Sequence, residues 1–343
     1  MATELLAIEL LVAAFAGGAF GAAIGALPSF VFTGVLVIVG ETLRIVRRAV
    51  SPEASVPQVT DLIAFGVVFG PHVSFAGGAA AAAYAARKGY LDTGAYHPAK
   101  EITVGLGSRV DVLIVGGLFG VAGHLLLVGS VMLSAPWDPV AMGVVLSALL
   151  HRLAFGYDLI GEIRSTSLFD MSPFEHEVAT DGGRPLVEPW LPYMYRWNGV
   201  ALLGALVGIL GGYLAYVTAS PFLGFGISAA SLVFLVAGVD GIPVTHHMTL
   251  PASTGVLALA GLSMGQLSPE AVASAVPLWQ ALLIGAIFGL IGGLAGEFVQ
   301  RVLYAHADTH LDPPAASIVL TTALIAILTI IGIFETAVWI PHT

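Results

Sequence analysis

Apolar stretches long enough to cross a bilayer follow one another along the whole chain. They fall at about 5–26, 29–47, 62–88, 104–133, 139–156, 197–218, 222–239, 242–264, 274–303 and 315–340. A hydrocarbon core about 30 Å thick takes about 20 apolar residues as a helix, and every backbone polar group inside it must be satisfied within the protein. Only 10% of the 343 residues are charged, 57% are hydrophobic and the mean hydropathy is +0.93; soluble proteins carry about 25% charged residues. These values exclude a soluble globular protein, a disordered chain and a nucleic-acid binder. They predict an all-α, multi-pass integral protein of the cell membrane, whose first partner is the lipid bilayer. No Lys or Arg precedes the first run, which is long enough to span, so it reads as a helix rather than a cleaved signal peptide.

The formal charge is −10, and lysine occurs only at Lys88 and Lys100. Acids such as Glu175, Glu177 and Glu188 lie outside the apolar runs. Acidic, lysine-poor loops on an Ala/Val/Gly-rich body fit a halophilic archaeon. There is no cysteine, which excludes disulfides, iron–sulfur clusters and thiolate zinc sites. No phosphate-binding G-x-x-x-x-G-K-S/T loop is present, and no cofactor is implied.

The longest polar stretch divides the chain into a first membrane repeat (1–156), an acidic connecting loop (157–196) and a second membrane repeat (197–343), with five apolar segments in each repeat. Three matches recur in the same order. Residues 16–30 resemble 207–222, each ending in a Pro/Ser-Phe turn. Residues 72–80 align with 247–255, placing His72 on His247 and Ser74 on Thr249. Residues 113–123 align with 282–292, placing Gly116, Phe119, Gly120 and Gly123 on Gly285, Phe288, Gly289 and Gly292. Internal repeats are a common way to build transporters, with the site where the repeats meet. Glycines every three to four residues let helix backbones approach closely; such stripes also suit a homo-oligomer.

The third segment of each repeat is broken, by Gly70-Pro71-His72 in the first and by Gly241-Ile242-Pro243 before His246-His247 in the second. Proline removes a donor and clashes with the preceding turn. A re-entrant segment with a cytoplasmic N-terminus puts all Lys and Arg except Arg301 inside. A fully crossing segment leaves Arg44, Arg47 and Arg48 outside. The positive-inside rule favours the re-entrant form and parallel repeats; five crossings per half would give inverted repeats.

Irregular backbone at membrane depth survives only where protein or a water-filled cavity satisfies it, so the breaks are the candidate site. Ser74 and Thr249 stand where the second half-helices are expected to start, and helix starts attract anions. Ionisable residues inside a membrane mark functional sites by default. The candidates for binding are therefore His72, Ser74, His246, His247 and Thr249. His124, Glu41 and Asp240 are candidates for coupling or for lining a pore. His306, Asp308 and His310 alternate as zinc ligands can, ahead of Pro313-Pro314. Glu297 and Arg301 are spaced as an i,i+4 ion pair.

The paired histidines resemble the twin-histidine arrangement of ammonium channels, and the paired breaks resemble those of urea channels; this likeness is architectural and carries over no functional residue. The expectation is a transporter or channel for a small solute, a small anion or weak acid being favoured. Two alternatives are an intramembrane zinc-dependent hydrolase and a non-transporting membrane subunit of a larger complex.

Overall fold

The computed structural model describes residues 5–50, 55–92, 97–180 and 183–340. Those residues form an all-helical protein with no β-strand among them; a single isolated bridge pairs Ala179 with Pro185. The first half holds α1 (Ile8–Ile24), α2 (Ala26–Val50), α3 (Ser74–Arg87), α4 (Val110–Met132) and α5 (Pro139–Ala154). The second holds α6 (Trp197–Thr218), α7 (Leu223–Ala230), α8 (His246–Leu259), α9 (Leu278–Leu303) and α10 (Pro313–Ile330). Short turns of helix stand at Ser172–Glu175, Val233–Val236 and Pro269–Ala275. Five helices, α2, α4, α6, α9 and α10, are long and apolar enough to cross a membrane.

Local chemistry sets several helix ends. α5 and α10 each open on an Asp-Pro pair. Asp138 accepts from the Val140 and Ala141 N–H groups at 2.8 and 3.0 Å, and Asp312 from Ala315 N–H at 2.8 Å. The aspartate caps orphan donors and the proline, lacking an N–H, fits the first turn. α6 ends at Ala219, which adopts the left-handed region (φ 51°).

Lipid is as apolar as leucine, so close packing and buried polar bonds hold membrane helices together. α1 packs on α4, and α6 on α9, through glycine. A methyl group at Gly18 would lie 2.2 Å from the Gly116 carbonyl oxygen, and one at Gly208 would lie 2.1 Å from that of Gly285. α2 and α7 cross by a reciprocal contact: Gly34 meets Ala229 and Ala230, while Gly226 meets Val37.

The broken stretch before α3 runs along α2 from Gly40 to Ala26. Thr60 lies against Gly40, Thr33 donates to the Phe69 carbonyl at 2.7 Å, and Gly78 lies against Ala26. From residue 40 to residue 26 an α-helix covers about 21 Å, most of a bilayer core. A short π-helical turn (Val59–Ala64) and bonds inside the bend, Val73 and Ser74 N–H to Gly70 O and Ala76 N–H to Pro71 O, carry the chain through the break. The chain passes the break as a bent segment packed along α2. Both breaks lie beside helix midpoints, His72 against Gly123 of α4 and His247 against Gly292 of α9.

At one end of the bundle, Arg48 reaches the Leu267 carbonyl at 2.9 Å. At the other end, the segment after α9 closes on the loop before α4, with His310 N–H donating to Ala99 O at 3.2 Å. The connecting segment 157–196 is held at that second end by two buried guanidiniums. Arg301 bonds the Phe169 and Tyr195 carbonyls and pairs with Glu297 at 2.5 Å, as the spacing predicts. Arg152 bonds the carbonyls of Leu159, Leu303 and Thr309.

Candidate functional site

Between the two halves lies a cavity of about 320 Å³. α5 and α10 line it from their first turns through Asp138, Ala141 and Val144 and through Asp312, Ala315 and Ile318. α2, α3, α7 and α8 contribute Phe30, Phe75, Phe225, His246 and Leu250. Its mouth is at the connecting-loop end, where Thr103, Pro192 and Tyr193 line it and are exposed. Its floor is aromatic. Phe65 meets Phe222 (ring centroids 5.2 Å apart) and Phe225 (5.6 Å), and Phe222 meets Trp339 (5.3 Å). Beyond this floor, at the opposite end of the bundle, is a second recess lined by Glu41, Arg44, Arg47, Arg48, Asp61 and Glu270.

Charge is balanced at the mouth. The buried Lys100 ammonium pairs with Glu188 at 2.6 Å and lies 4.5 Å from the Tyr304 ring centroid. Arg184 binds the other Glu188 oxygen at 2.6 Å and Asp308 at 2.8 Å. Burial pushes the Lys100 amine down to about 8, with Glu188 acting in the opposite direction.

The structure separates the five expected binding residues. His246 lines the cavity, set between the Phe30 ring (4.7 Å) and the Phe225 ring (5.6 Å), with Nδ1 unpartnered. His247 points elsewhere, to Trp190 (6.2 Å) and Gly296. His72 lies behind the wall, its ring 6.3 Å from that of His124. His124 in turn contacts the Leu5 carbonyl at 2.7 Å. The Ser74 hydroxyl donates to Phe69 O at 3.3 Å. Thr249 does not start a helix: α8 begins at His246, and the Thr249 hydroxyl bonds back to the His246 carbonyl at 3.2 Å. Pro251 therefore sits inside α8, and the His247 carbonyl, which loses its i+4 donor to that proline, packs on Gly292.

Glu41 and Asp240 have unlike surroundings. Glu41 is fully buried and accepts from Arg44 (2.8 Å), Thr60 (2.8 Å) and Ser220 (2.6 Å), whereas Asp240 is exposed. The alternating His306, Asp308 and His310 do not converge. Asp308 is taken by Arg184, while His310 approaches Asp312 at 3.4 Å and lines the cavity. Among the described residues no group of three or more His, Cys, Asp or Glu is arranged to hold a metal ion. Asp138, Asp312, Lys100 and Tyr304 belong to the cavity without having been read from the sequence. The repeated Asp-Pro pair was the available signal for the first two.

One family model matches residues 1–343. The chain belongs to a family of unknown function, DUF7973. No curated protein and no solved structure matches it.

Proposed function

We propose that this DUF7973 protein is a multi-pass membrane transporter for a small solute, which it binds in the cavity between its two halves. The observation that carries the reading is the arrangement along the bundle: a cavity open at one end, an aromatic floor, and a separate polar recess beyond it. A carrier that exposes its site to one side at a time has this form.

The two halves, 1–156 and 197–343, are inverted repeats in this reading, each crossing the membrane five times. Supporting it are the paired glycine contacts of α1 with α4 and α6 with α9, and the reciprocal crossing of α2 and α7. The Asp138–Val144 and Asp312–Ile318 turns also meet the cavity at matching positions. The mouth then faces the cytoplasm, because the positive-inside rule places the connecting-loop end there, with only Arg44, Arg47 and Arg48 at the far end. His246 contacts solute directly. Thr249, His247, His72 and Ser74 hold the breaks in shape one layer behind, and Glu41 closes the outer recess.

Flux into proteoliposomes at high salt tests the function. The panel is small organic cations, anions, weak acids, urea, ammonium and divalent metals, compared between wild type and His246→Ala. One solute whose flux is lost in the variant establishes the cavity as the path. Flux of no solute from well-folded protein overturns transport and favours a subunit role.

A further inference from the structure

We infer that the cavity selects a small organic cation that also carries a hydrogen-bonding group. This rests on the transport reading and names its substrate class. Most of the features that would hold an anion are already used inside the protein. The starts of α5 and α10 have N–H groups satisfied by Asp138 and Asp312; α8 also starts at the wall, at His246, without a side-chain cap, and its first turn carries no Lys or Arg. Among the described lining residues the only Lys or Arg is Lys100, and its ammonium is matched by Glu188 at 2.6 Å. The cavity wall carries features that suit a cation. Aromatic rings line the cavity from floor to mouth, including Phe65, Phe225, Trp339, Trp190 and Tyr304. Aromatic faces attract ammonium groups, and in this wall the Tyr304 ring already carries one, the Lys100 Nζ at 4.5 Å. The two lining aspartates offer oxygens and no donors when ionised. His246 and His310 are buried, line the cavity and each keep Nδ1 without a partner, which gives a hydroxyl or amino group on the solute a place to bond. At about 30 Å³ per water-sized unit, the volume admits a solute on the order of ten non-hydrogen atoms.

The test uses three probes of one shape: choline, its uncharged isostere 3,3-dimethylbutan-1-ol and the anion 3,3-dimethylbutanoate. Binding to the full chain is measured by calorimetry in detergent, and uptake of labelled choline in proteoliposomes. Choline is expected to bind at least tenfold more tightly than the alcohol, with no competition from the acid. Asp138→Asn and Asp312→Asn keep a capping side chain and remove the charge. Together they should weaken choline tenfold or more and leave the alcohol unchanged. Equal binding of choline and the alcohol, tighter binding of the acid, binding of none of the three, or indifference of choline to the asparagine pair each overturns the cation assignment. If the acid or another solute is carried and His246→Ala abolishes its flux, transport stands and only the cation class falls. If nothing on the wider panel is carried, both fall.

Discussion

The carbonyl oxygen of His72 packs on the backbone of Gly123 so closely that a methyl group there would lie 1.6 Å from it. His247 and Gly292 make the same contact with slightly more room, 2.3 Å. In each pair the backbone at or just before the start of one helix is seated against the middle of another. Overpacking a tight interior typically costs about 1–3 kcal/mol, and here the obstacle is backbone, which cannot rotate away. Gly123→Ala should therefore lower the unfolding midpoint in detergent more than Gly292→Ala. Gly129→Ala, with no atom within 4 Å of its added methyl, should leave the midpoint unchanged or raised. Equal midpoints for all three would mean the breaks are not seated as described.

The helical character was legible because long uninterrupted apolar runs favour helix, and five of the helices are long and apolar enough to cross a membrane. Pro71, Pro243 and the glycines around them fall in the non-helical stretches that precede α3 and α8. The helix expected to start at Thr249 starts instead at His246, because Pro251, two residues after Thr249, has the spacing of a first-turn proline but lies inside α8. The structure accommodates that proline inside α8 by leaving the His247 carbonyl to Gly292. The cavity itself was largely hidden. Lys100, Trp190 and Tyr304 come from loops that no periodicity connects, and Phe222 reaches the floor only because α7 crosses α2. Pairing also decides what a carboxylate does. Glu41 and Asp240 look alike as residues ending an apolar run, yet one is buried under three donors and the other is exposed.

Glu41 ties α2, the Val59–Ala64 turn and the turn before α7 into one polar knot. Removing one partner of a buried charged group typically costs about 3–5 kcal/mol. Arg44 keeps Asp61 as a second partner, so Glu41→Ala should fall at the lower end of that range. Glu41→Gln, which retains the bulk and an acceptor, should cost less. In a double-mutant cycle Glu41→Ala with Ser220→Ala should be less than additive by roughly 0.5–3 kcal/mol. Full additivity would show that the 2.6 Å contact between them contributes nothing.

Lys100 gives a pH dependence of defined sign. Its amine is held at about 8 in the fold, below the ordinary 10.5, chiefly by burial. The folded protein thus binds this proton less tightly than the unfolded chain does. Its contribution makes stability rise with pH between about 8 and 10.5, by up to ~1.4 kcal/mol per unit, and levels off below that window. Lys100→Met removes the contribution while Glu188 keeps Arg184. Denaturant melts at about pH 8 and about pH 10 should therefore show wild type gaining on the variant as pH rises. A constant difference between the two proteins would mean that the amine is not buried in its neutral-favouring site.

Phe222 is the centre of the cavity floor, touching Phe65 on one side and Trp339 on the other at 5.2 and 5.3 Å. If the chain carries solute as proposed and this layer is the barrier between the cavity and the second recess, thinning it should let solute through without a conformational cycle. Phe222→Ala is expected to raise passive flux in proteoliposomes several-fold and to make it insensitive to an opposing gradient of the transported solute. Trp339→Ala should do so to a lesser degree, since Phe65 and Phe222 still meet. Deleting a buried phenyl ring costs about 3–5 kcal/mol, so Phe222→Leu serves as the companion variant that keeps most of the volume. It should fold like wild type and leak less than the alanine form. Wild-type flux from folded Phe222→Ala protein would place the barrier elsewhere, in the Glu41 knot beyond the floor.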